Sequence, residues 1–590
     1  MGWHTESQGW TSGPWSLELR GDEFADIAFG GRTLLRSVRA VVRDRDWDTA
    51  PLVVDAVRAS DLGLTLHVRS VGLGSSFSGI VRAEVRPGHL RIVLDVESAD
   101  AFATNRTGLV ILHPPQLAGT PAEVRHPDGT AERTAFPAAI SPHQPIVDIA
   151  GLTWAVGGAT VTVDVEGDVF EMEDQRNWTD ASYKTYSRPL SLPFPYDIAA
   201  GERVRQTVSI RVDGDPGFPA ATGPATIDLR PGGAFPATLL GAASAPDPAP
   251  PGASPGAGVL VELDLATPTW PAALRRAASG GAALDVRLIL APGDTTSVAD
   301  AVAALAGLDV LRVAAFHQVT DARHVSDAEA VTAVREALAA AGSTIPVIGG
   351  SRSHFTELNR ERHRLPGDLD GIAVTVTPLF HATGTEQLVE SVAMQRLVAL
   401  QTVEYAADLP VHVGPVCLRP RFNDVATGTQ PAPTRDDLAE GYGAEFTGSA
   451  DPRQSAPELA AWTVASAAAL AVPGVASIAW YEQWGPRGIR TAAGDPLPVA
   501  AAIDALAALG ERADGELLWG DSPDGLLWAL GVRRGDAVEV LAANLDRVTR
   551  ILTVTAGGSE ARWEIAPGGF VRGTTTAAPP PPTAPMEENP

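Results

Sequence analysis

The chain has 590 residues, 45% hydrophobic and 20% charged, an ordinary balance for folded globular protein but too long for one core, so two to four domains are expected. Lys and Arg number 45 against 71 Asp and Glu, a formal charge of −26, and a field of that sign without a basic run excludes nucleic acid as an expected partner. The single cysteine, Cys417, rules out an intrachain disulfide and a cysteine zinc cluster; no apolar run reaches membrane length or reads as a leader, so a cytoplasmic chain without membrane contact is expected.

Residues 1–215 read as an all-β domain. Short alternating runs at 64–69 (LTLHVR), 80–86 (IVRAEVR), 90–96 (LRIVLDV), 109–113, 159–165 and 204–212 are separated by Gly, Pro or Asp turns, as in a β-sandwich. After the alternating run 160–165 comes a dense polar stretch, 166–189 (EGDVFEMEDQRNWTDASYKTYSRP). Glu173, Asp174, Arg176, Asn177, Trp178, Asp180 and Lys184 supply carboxylates, an amide, cations and an indole face, the inventory that holds a hydroxyl-rich ligand. The same inventory also describes a self-satisfied polar cluster bracing a corner. Residues 216–257 turn Pro-, Ala- and Gly-rich and read as a linker.

From residue 258 to 510 the rhythm changes. Apolar runs at 259–265, 284–290, 310–316, 345–349, 371–376, 409–413 and 475–480 alternate with alanine-rich helical stretches, the pattern of a parallel sheet buried on both faces. Seven strands are visible. A (β/α)8 TIM-like barrel is expected, its eighth strand near 419–430 or just after Trp484, with an open doubly wound sheet as the alternative. Residues 511–573 return to strands and form a small C-terminal β domain, and the Pro- and Thr-rich tail 574–590 is disordered by composition.

Barrel sites are built at the carboxyl ends of strands. That rule singles out Glu262, His317, Arg352, His354, His381, Tyr481 and Trp484 as binding residues, and Glu357 and Glu482 as a catalytic carboxylate pair. A glutamate after the fourth visible strand and another after a late one is the arrangement of barrel glycosidases, with Glu357 as acid/base and Glu482 as nucleophile or base. Histidines after several strands would suit a metal, but no HxH or HExxH spacing supports one. No GxSxG elbow, Walker loop or dinucleotide glycine loop is present, so no cofactor is expected.

Four motifs, VRDRDWDT (42–49), NRTGLVILHP (105–114), FPAAISPHQP (136–145) and EGDVFEMEDQRNWTDASYKTY (166–186), resemble the D-apionate lactonase family of bacterial apiose catabolism. The resemblance lies mainly in residues 15–215 and implies an N-terminal β domain, a middle barrel, a C-terminal β domain and opening of D-apionolactone to D-apionate. It carries no catalytic residue over. Three functions therefore stand: a sugar lactonase using carboxylate-assisted attack of water, a glycoside hydrolase, and a non-catalytic carbohydrate-binding protein. Each takes a small sugar or sugar lactone as partner. A further expectation is that segment 173–180 folds over the barrel mouth into one composite site. Oligomeric state has no signature in the sequence.

Overall fold

The computed structural model describes residues 3–217, 225–252, 255–318, 324–424, 431–511 and 515–577. The N-terminal domain stacks an eight-stranded on a nine-stranded antiparallel sheet. Alternation along the strands fills the space between them with Phe24, Leu66, Val81, Ile92, Leu109, Ile111, Phe136 and Val163. Arg106–His113 is buried on both faces. Leu109 and Ile111 enter that core, whereas Val110 and Leu112 turn the other way, against Val41 and Tyr186.

The middle domain is a closed barrel of eight parallel strands: Ala237–Gly241, Gly258–Asp264, Leu284–Leu290, Val310–His317, Val347–Gly350, Ile372–Val376, Val411–Val416 and Val475–Glu482. The strand that closes the barrel is the first, Ala237–Gly241, paired with the second and the eighth. It lies inside the stretch expected as a linker, not near 419–430 (of which 425–430 fall outside the described residues) or after Trp484. The reading fails there for a physical reason. ATLLG is five residues long and hemmed by Pro and Gly, so composition over a longer window masks it. The Pro-rich run after it is the connection from the first barrel strand to the second, which holds no described helix.

Two more strands occupy the expected linker. Ala225–Asp228 pairs with Arg550–Ala556, and Arg230–Ala234 with Glu516–Trp519. They complete the small C-terminal β-sandwich, one sheet of four strands and one of five, around Ile227, Leu229, Leu518, Val540, Leu552 and Val554. Order also runs further along the tail than expected, through Thr576–Ala577; residues 578–590 lie outside the described residues. Among the described residues no helix is long and apolar enough to cross a membrane.

Candidate active site

A cavity of about 620 Å³ opens at the carboxyl ends of the barrel strands, where parallel α/β barrels carry their sites. Alternation along GVLVELD turns Val259, Val261 and Leu263 to the outer core and leaves Glu262 and Asp264 on the inner face. Glu262 accepts two hydrogen bonds from Arg421, Nε to Oε2 and Nη2 to Oε1, both 2.9 Å, and one from Arg352 Nε at 3.3 Å. Burial opposes its charge, yet the two guanidiniums hold its pKa down to about 2. Asp264 is bound differently. Its Oδ1 accepts from the Gln318 side chain at 2.5 Å and the Ala266 amide at 3.1 Å, while Oδ2 accepts no hydrogen bond among the described residues.

Glu482 enters the same cavity from the eighth strand. Register slips there between Leu240 and Gly241, and Tyr481 sits at φ +37°, a conformation that costs a non-glycine residue about 1–3 kcal/mol. A Cβ on Gly241 would lie 2.3 Å from the Tyr481 carbonyl oxygen, so only glycine fits opposite this bulge. Glu482 accepts from Ser244 N (3.0 Å), Ser244 Oγ (2.8 Å) and Arg487 Nε (2.9 Å). Tyr481 borders the cavity, but its hydroxyl is 2.8 Å from Thr463 Oγ1 and so is engaged with a barrel helix.

Glu357 does not line the cavity. It stands after the fifth strand, because the unrecognised first strand shifts the count by one; the fourth strand ends in His317 and is followed by Gln318. Glu357 Oε2 accepts from Ser353 Oγ and the His354 amide, and His354 Nδ1 donates to Asp424 Oδ2 at 3.2 Å. Burial first, then the Asp424 charge, pushes Glu357 up to about 7. Burial also opposes ionisation of Asp424, but the adjacent His354 outweighs it and holds that carboxyl below the usual range. Ligand atoms of His354, Glu357 and Asp424 lie within 4.8 Å of one another. Glu357 Oε2, His354 Nδ1 and Asp424 Oδ2 are engaged in this way, whereas His354 Nε2 and Asp424 Oδ1 are buried without a hydrogen-bond partner among the described residues.

The remaining expected positions sit elsewhere. His317 Nδ1 is 2.7 Å from Asp327, the residue that caps helix Ala328–Ala340. Trp484 packs against Ala243 and Ala245. His381 is tied across the domain boundary to Asp180, Nδ1 to Oδ2 at 2.9 Å, and burial holds its pKa down to about 4. Trp178 stacks on Phe380 with rings parallel within 2°. Asn177 Oδ1 accepts from Asn359 on helix Phe355–Glu361. Arg176 is chelated by Asp174 and by the carbonyls of Pro137, Ala138 and Ala139. Lys184 pairs with Glu173 at 2.6 Å. None of these seven β-domain residues is among those lining the barrel cavity.

Arg421, Asp424 and Arg487 went unrecognised in the sequence because each lies in a loop without periodicity; Asp264 was legible from its place at a strand end.

A barrel mouth lined by fixed carboxylates and arginines, carried between two β-sandwiches, is the build of an enzyme for small polar molecules. The N-terminal domain model of D-apionate lactonase matches residues 3–215 and the TIM-barrel domain model of the same family matches residues 253–511. The chain belongs to the D-apionate lactonase family and is a carbohydrate-active hydrolase. A D-apionate lactonase of Brucella anthropi is 29% identical over 540 residues, 82% of this chain and 83% of the relative. Among solved structures, a GH30 endoxylanase from Clostridium papyrosolvens aligns over 60% of this chain and 97% of its own, at 10% identity and a TM-score of 0.36. An Escherichia coli aldose 1-epimerase homologue aligns over 36% and 99%, at 13% identity and a TM-score of 0.25. Both are distant likenesses of chain path.

Proposed function

We propose that the enzyme opens a sugar lactone of the D-apionolactone type by adding water in the barrel-mouth cavity. The observation that carries this reading is Asp264, a carboxylate with one oxygen fixed by Gln318 and a backbone amide and the other accepting no hydrogen bond among the described residues. Glu262 and Glu482 are saturated by guanidinium and hydroxyl donors, which suits holding and orienting, not taking protons. In the proposed step Asp264 accepts a proton from water as its oxygen bonds to the lactone carbonyl carbon. Arg352, next to Asp264 and held by Glu262, balances the charge that develops on the carbonyl oxygen. The ring C–O bond then breaks, the ring oxygen takes a proton as a hydroxyl, and a carboxylate remains. The net products are the carboxylate of the sugar acid and one proton.

That proton is the test. Purified enzyme mixed with D-apionolactone in a weakly buffered pH indicator is expected to acidify the solution above the spontaneous rate, and Asp264→Asn to lose about 10²–10⁴-fold of that rate. Full activity in Asp264→Asn would remove the proposed base. Four carboxylates at one cavity, Glu262, Asp264, Asp424 and Glu482, favour glycoside cleavage as the second reading. It releases no proton, so a silent indicator together with sugar release from a furanoside would select it.

A further inference from the structure

The N-terminal sheet carries a second cluster of charge, away from the barrel cavity. Cross-strand register sets Arg43 opposite Arg106, Tyr186 opposite Val110 and Glu171, and Lys184 opposite Leu112 and Glu173. These residues share the face turned away from the sandwich core. Arg106 is 3% exposed. Its guanidinium lies 3.5 Å from the Tyr186 ring centroid and 5.2 Å from that of Trp47, and its Nε and Nη2 have no hydrogen-bond partner among the described residues. Arg43 donates Nη1 to the Trp47 carbonyl at 2.7 Å. Among the described residues neither arginine has a carboxylate within ion-pair distance. The nearby acids are engaged: Glu173 with Lys184, and Glu171 with the Tyr186 hydroxyl and the Leu190 amide.

Burying a guanidinium without a counter-charge costs several kcal/mol, and leaving its N–H groups unpaired costs more. Two such cations side by side make the cost larger; burial, then the charge of Arg106, pulls Arg43 down to about 10. An anion between them would remove both penalties. The planar guanidinium fork matches a carboxylate in two parallel hydrogen bonds. The half-buried Trp47 beside it offers a flat face for sugar carbons.

We infer that Arg106 and Arg43, with Lys184 and Trp47, form a second ligand site that takes the carboxylate of a small polyhydroxylated acid. That the acid is a sugar acid rests on the lactonase reading, since this is the chemical class of its product; the anion site itself rests on the unpaired arginines. The site binds the acid without taking part in the chemistry at the barrel mouth.

The probe is sodium D-gluconate, titrated into the full chain by calorimetry, with sodium sulfate as an anion lacking hydroxyls. Saturable one-to-one gluconate binding is expected, tighter than sulfate, weakened at least about tenfold by Arg106→Gln. The initial rate of lactone opening by Arg106→Gln is expected to stay within about twofold of the parent. Asp264→Asn should keep gluconate binding, which separates this site from the barrel. Arg43→Gln, at a less buried position, serves the same comparison should Arg106→Gln not fold. No saturable binding at millimolar gluconate, or binding unchanged in both folded arginine variants, would overturn the site. Loss of lactone opening by two orders of magnitude in Arg106→Gln would overturn its separation from catalysis. Retained gluconate binding by an enzyme silent toward lactones would sink the lactonase reading and support the site.

Discussion

At the scale of single residues, the barrel mouth shows how neighbours decide what a carboxyl can do. Glu262 between two arginines is fixed as an anion, whereas Glu357, buried beside ionised Asp424, holds its proton up to about 7. A carboxyl raised in the folded state stabilises it fully below its ordinary value of 4.5, and that contribution is lost as pH rises through about 7. Glu357→Gln keeps an oxygen for Ser353 Oγ and the His354 amide but carries no charge at any pH. The variant should therefore gain stability relative to the parent between pH 5 and pH 8, with the gap closing toward the acid end. Thermal unfolding midpoints of the two proteins over that range test it; parallel curves would mean Glu357 does not titrate there. Asp424 titrates with the opposite sign, but it is present in both proteins and largely cancels in the difference.

At the scale of elements, the segment Phe170–Ser187 is a docking corner. Its chain runs from strand Phe170–Asp174 through a short 3-10 turn into strand Tyr183–Ser187. Asp174 accepts the Arg176 amide and chelates the Arg176 guanidinium, which in turn gathers three carbonyls of the 137–139 loop. Ile140 at the end of that loop meets Asn359 and Gln401 of the barrel helices. The ion pair is 0% and 1% exposed on its two sides, so removing one partner leaves a bare buried charge. Asp174→Ala should cost about 3–5 kcal/mol of stability, measured by denaturant titration. A loss under about 1 kcal/mol would show that water or a shifted loop takes over the arginine.

At the scale of the whole molecule, the C-terminal sandwich is assembled from both sides of the barrel. Ile227 and Leu229, which precede the barrel, share a core with Leu518, Val540 and Leu552, which follow it. Barrel residue Arg396 also donates to the Gly520 carbonyl at 2.7 Å. Ending the chain after residue 510 should therefore do more than remove an appendage. It strips strands Ala225–Asp228 and Arg230–Ala234 of their partners and uncovers their apolar side. The truncated protein is expected to aggregate or to be cleaved by protease within residues 225–236 far faster than the full chain. Equal protease resistance would show that the barrel stands without the sandwich.

The sequence by itself determined the element types and their grouping. Alternation marked the β domains, continuous apolar runs marked seven barrel strands, and the motifs of residues 15–215 carried the family. Those signals are local, because each strand or helix writes its own period into neighbouring residues. Tertiary structure alone decided the rest. The closing strand Ala237–Gly241 is too short to show a period and is defined by the two strands that flank it in space. Glu357 and Glu482, read as a pair from their places after strands, end in different surroundings, one in a hydrogen-bonded cluster and one at the cavity. Arg43 and Arg106 are 63 positions apart in the chain, and only cross-strand register sets them side by side. Which charges meet, and which stay unpaired, depends on contacts between residues remote in sequence, and no local pattern records those contacts.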